Sequence, residues 1–119
     1  MPARSHEELR MWQKAMELSV ECKRISRLLP REELFRLGDQ ILRAARSIPA
    51  NIAEGYGSGT RPEYRRFLWM ARRSALELHT HLASAERERL LKNAELSHAR
   101  ELLDHTSRML TLARRNLPP

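Results

Sequence analysis

The sequence predicts an all-α protein, an antiparallel up-and-down four-helix bundle, from three observations. Apolar residues recur at steps of three and four along most of the chain, only four Gly and six Pro interrupt it, and the interruptions cluster where helices should end. Short connections between such helices place neighbours side by side. A length of 119 residues suits a single domain, 1–119, with one core. Aromatic residues make up only 5%, so Leu, Ala, Ile and Met must fill that core.

The first helix is expected from about His6 to Leu29. Its apolar positions are Leu9, Trp12, Met16 and Val20, then Cys22, Ile25 and Leu29, and Pro30 stops it. The second starts near Glu32 and carries two apolar sets, one of Leu34, Leu37, Ile41, Ala44, Ile48 and Ile52, the other of Phe35, Leu42, Pro49 and Ala53. Pro49 lacks an amide hydrogen and crowds the carbonyl of Ala45, which predicts a kink rather than a break. Gly55, Gly57 and Gly59 reach positive φ at little cost and are expected to end this helix, while Thr60, with Pro62 and Glu63 behind it, caps a third helix from Arg61.

Along helix three, Tyr64, Phe67, Leu68, Ala71, Ala75, Leu78, Leu82 and Ala85 form one stripe, and Trp69, Leu76 and Ala83 form a second. Asn93 is expected to cap helix four, on which Leu96, Ala99, Leu103, Thr106, Leu110, Ala113 and Leu117 repeat until Pro118 and Pro119. The apolar bands on helices two and three are wider than one buried face requires. The surplus predicts a homo-oligomer in which part of each band lies against another subunit.

Lys and Arg total 22 against 15 Asp and Glu, a net charge of +7 and a pI near 10.7, which favours anionic partners. Most cations are Arg, whose planar fork matches phosphate. Cys22 is the lone cysteine, which rules out an intrachain disulfide and the usual zinc spacings and suits a reduced, cytoplasmic setting. Met1 to Glu8 contain no apolar signal core, and no apolar run is long enough to span a bilayer, so no membrane partner is expected.

Four segments resemble the four-helix-bundle family of 23S-rRNA intervening-sequence proteins: Leu9-Arg10-Met11-Trp12-Gln13-Lys14-Ala15, Asp39-Gln40-Ile41-Leu42-Arg43-Ala44-Ala45, Ser47 to Tyr56, and Glu63-Tyr64-Arg65-Arg66-Phe67-Leu68. The resemblance implies a bacterial protein encoded within ribosomal RNA intervening sequences or elsewhere, a ring-shaped homopentamer, and kinship with accessory proteins of diversity-generating retroelements. In those relatives a basic outer surface engages nucleic acid and a reverse transcriptase. The chain departs from the pattern at Ser5 and His6, where the family often has phenylalanine, and at Glu88 to Asn93, where a Gly-Tyr pair is missing.

The candidate nucleic-acid-binding residues are Arg61, Arg65 and Arg72 on one face of helix three with Arg66 and Arg73 beside them, and Arg36, Arg43 and Arg46 on helix two. Rows of this kind straddle backbone phosphates, RNA before DNA here, with affinity that falls steeply with salt. The bland alternative is a solvated face paired with Asp39, Glu63 and Glu77, on a protein-interaction scaffold that binds no nucleic acid. Pro49, Asn51, Glu54, Trp69 and Leu76 are assigned structural or oligomer-contact roles; a catalytic Glu54 lacks a partnered His, Cys or carboxylate nearby in sequence. His98, Glu101 and His105, with His79 and His81, are spaced too widely for a common tetrahedral site, and Gly55, Gly57 and Gly59 lack the strand and Lys of a phosphate loop, so no enzyme activity, metal or cofactor is expected.

Overall fold

A computed structural model describes residues 5–118. Met1 to Arg4 and Pro119, covered by the expectations of no signal core and of a terminal proline stop, lie outside the described residues. The described chain is helical, with no strand: a short 3-10 turn at His6–Glu8, then α1 (Arg10–Ser26), α2 (Arg31–Glu33), a π-helical stretch (Leu34–Gly38), α3 (Asp39–Tyr56), α4 (Arg61–Arg87) and α5 (Asn93–Asn116). The four long helices form a rod of 45 × 22 × 21 Å in which α1 touches α3 and α5, and α4 touches the same two. The core runs down its centre, through Leu18, Ile25, Ile41, Ile48, Ile52, Leu68, Leu78, Leu82, Leu96 and Leu110.

The predicted core faces of α3, α4 and α5 are the buried ones, as are Cys22, Ile25 and Leu29 at the end of helix one, but the first half of α1 is turned. Its buried positions are Met11, Ala15, Leu18, Cys22 and Ile25, whereas Met16 is exposed and Val20 is 68% exposed. The set Met11-Ala15-Leu18-Cys22-Ile25 also steps by three and four, so period alone left two faces open. Helix one is also shorter than expected. Leu9 is in extended conformation between the 3-10 turn and α1, and a turn at Arg27 to Leu29 precedes Pro30.

Wider π-type turns at Leu34–Gly38 shift the register ahead of α3 and leave Phe35 82% exposed, off the band expected with Leu42 and Pro49. Helix α3 then runs unbroken through the buried Pro49. Only one of the three glycines expected to take positive φ does so, Gly59 at 87°. Gly57 caps α3 in right-handed conformation, and Gly55 lies buried inside the helix. Gly55 serves close packing: a Cβ there would sit 2.6 Å from Phe67 Cβ and 3.1 Å from Tyr64 Cδ1. The end of α3 thus lies backbone-close to the start of α4, as antiparallel neighbours must.

Thr60 caps α4 by accepting from the Glu63 amide at 3.3 Å. At the other end, Leu90 N donates to Ala85 O at 2.9 Å and Arg89 N to Glu86 O at 3.0 Å, a Schellman closure with Arg89 at φ 59°. Arginine therefore occupies a left-handed position that glycine fills more cheaply. The cap of α5 falls at Lys92, one residue before the expected Asn93: the Lys92 amide donates to Glu95 Oε1 at 2.8 Å, and Asn93 Oδ1 instead accepts from Arg100 at 2.9 Å.

Candidate nucleic-acid interface

Helix α4 directs Arg65 and Arg72 toward α5, and because the two helices are antiparallel these meet the C-terminal half of α5. Arg65 marks the register by donating to the carbonyls of Leu117 at 2.8 Å and Pro118 at 3.0 Å. Between the helices lies an open groove of about 430 Å³ lined by Arg72, Leu76, Ser107, Arg108, Thr111, Leu112 and Arg115. It adjoins a recess of about 280 Å³ lined by Arg65, Arg72, Thr111, Arg114 and Arg115. No acidic side chain lines either. Arg108 pairs with Asp104 at 3.1 Å, both well exposed, a contact worth little in water.

Arg114 closes one side of the recess. Its guanidinium carbon lies 5.1 Å from the centroid of Trp69, and its Nε is buried with no hydrogen-bond partner among the described residues. Trp69 is 42% exposed, Leu76 58% and Leu112 51%, so the arginines sit among apolar surface that the fold leaves uncovered.

The eight arginines expected from sequence are not one surface. Arg72 lines the groove and the recess, and Arg65 the recess. Arg66 turns away, donating twice to the Glu63 carboxylate at 3.1 Å and lying 4.7 Å over the Phe67 ring. That hydrogen bonding holds the Glu63 carboxyl below its usual value. Arg73 joins Asn51, Met70, Ser74 and Glu77 in a depression between α3 and α4, and Arg61 is exposed in the first turn of α4. Arg36, Arg43 and Arg46 are exposed, Arg43 bonding Gln40 and sharing a shallow depression with Asp39 and Arg46.

The groove's other cations, Arg108, Arg114 and Arg115, were missed in the sequence. The available signal was the seven-residue spacing of Arg108 and Arg115, which matches that of Arg65 and Arg72 when α5 is laid antiparallel to α4.

Among the remaining candidates, Asn51 is half-buried and donates from Nδ2 to the Ser47 carbonyl at 2.8 Å, not to the Ala45 carbonyl that Pro49 leaves without a helical donor. Glu54 is exposed. His79, His98 and His105 are exposed, and His81 lies 3.3 Å from Glu77. Cys22 is fully buried, and burial pushes its thiol up to about 12.

No described helix is long and apolar enough to cross a membrane. No curated protein matches the chain. The model of one family, described as 23S rRNA-intervening sequence protein, matches residues 7–112, which span all four long helices but for the end of α5. With its helical bundle and the segments that resembled this family, the chain belongs to the 23S rRNA-intervening sequence proteins.

Proposed function

We propose that this protein is a non-enzymatic accessory factor that binds nucleic acid, RNA in preference to DNA, through its arginine-lined surfaces. The observation that carries the reading is the α4–α5 groove, where Arg65, Arg72, Arg114 and Arg115 gather with no acidic side chain in the lining. Each phosphate held there releases counterions, so affinity should fall with log salt at a slope of about −0.7 per contact on a single strand. Titrating labelled RNA across a salt series tests it. Binding at low salt with a slope of about two or more contacts is expected, and its loss in the Arg72→Glu/Arg115→Glu double variant. A protein that binds no RNA at low salt is not of this kind.

The same reading includes assembly. The exposed large apolar side chains Phe35, Val20, Met16 and Trp69 are surface that another copy would cover, which supports a homo-oligomer; a ring, with five copies, is what the family resemblance suggests. A bend of α3 at Pro49 would adapt that helix to a neighbour and rests on the missing amide of proline. A reverse transcriptase or ribonucleoprotein is the protein partner proposed from the same resemblance, in a cytoplasmic setting. Light scattering tests the assembly: a monomeric mass at working concentration removes it.

A further inference from the structure

Resting on the nucleic-acid reading above, we infer that the α4–α5 groove takes a single strand and discriminates against duplex, because exposed leucines stand among its arginines and only unstacked bases can cover both. The lining arginines are Arg72, Arg108 and Arg115, and between them stand Leu76 and Leu112, both more than half exposed. Packed helix axes lie about 10 Å apart, so the channel between α4 and α5 is narrow. A duplex is a stiff, wider rod with its base faces stacked away. It reaches the arginine tips with its phosphates and leaves Leu76 and Leu112 wet.

A flexible strand satisfies both kinds of side chain at once, its phosphates against the guanidinium groups and its bases against the exposed leucines. Charge complementarity sets the occupant: the lining holds arginine, serine, threonine and leucine but no carboxylate, which favours a polyanion over a mixed-charge protein surface.

The test compares a single-stranded RNA with an RNA duplex of equal phosphate number, for the wild-type protein and the Leu76→Ser/Leu112→Ser variant. Both leucines are solvent-facing, so the variant should fold, and circular dichroism with thermal melting verifies that it does. Expected is single-strand binding tighter than duplex by about tenfold or more, with the serine variant losing about tenfold on the single strand, the size of one lost base contact. Its salt slope should be unchanged, since no cation is removed. Equal affinity for duplex, or a serine variant that binds the single strand like wild type, overturns the inference while leaving phosphate binding in place. A fall in oligomer mass in the serine variant also overturns it, because the groove then belongs to a neighbouring copy. Absence of binding to either RNA fails the underlying proposal as well.

Discussion

Helix α4 has two seams, and they are built on opposite principles. Against α3 it closes at Gly55, where the absence of a side chain lets Phe67 and Tyr64 pack onto the α3 backbone. Against the last turns of α5 a recess lined by Arg65, Arg72, Thr111, Arg114 and Arg115 lies open, bridged only by long side chains such as Arg65, which reaches the Leu117 and Pro118 carbonyls. The comparison teaches that one helix can commit one flank to close packing and leave the other open, with side-chain size and charge at a few seam positions setting which is which.

The sharpest way to break the contrast is to damage the closed interior that both seams share. Leu78→Ala removes a fully buried side chain of α4 and should cost about 2–5 kcal/mol in chemical denaturation. Gly55→Ala tests the closed seam itself: its Cβ meets Phe67 Cβ at 2.6 Å, too close for either backbone to ignore, and a loss of about 1–3 kcal/mol is expected. A stability equal to wild type would mean that the two helices are not locked there.

At the α4–α5 turn, Arg89→Gly should stabilise by about 1 kcal/mol, since glycine relieves the left-handed backbone at φ 59°. A neutral or negative result would place the unfolded chain's added freedom above the relieved strain. The open seam gives the smallest change: Leu76→Ser and Arg72→Ala should each leave the melting transition within about 0.5 kcal/mol of wild type. A larger loss would show that the groove is cohesive after all.

Acid response probes a pair within α1 instead. Glu21 lies nearly buried on α1 and accepts from Arg24 at 2.8 and 2.7 Å, bonds that hold its carboxyl below the ordinary value of 4.5. A folded pKa below the unfolded one stabilises above 4.5 and loses that contribution as pH falls through the folded value. Glu21→Gln should therefore flatten the acid limb of a melting-temperature profile.

Periodicity and punctuation made the bundle legible: the starts of α4 at Arg61 and of α5 near Asn93, and the core faces of three helices, follow from spacing, caps and prolines. The face of the first half of α1 was not legible, because Met16 and Val20 are as apolar as Met11 and Leu18 and only packing against two other helices decides between them. The π-helical stretch escaped for a related reason, as nothing local in Leu34 to Gly38 demands wider turns. Half of the groove was visible in Arg65 and Arg72. The rest was hidden because it depends on the axial register of α5, which Arg65 reports only through its bonds to Leu117 and Pro118.

Cys22 has a practical consequence. Thiol reagents attack the thiolate, and this sulfur is sealed in the interior and reluctant to ionise. Its alkylation must wait for α1 to come away from its neighbours, so the labelling rate in native buffer times the opening of the rod without an added probe. Followed with and without RNA, that clock reads whether a guest gripped at a distant groove holds the whole assembly shut.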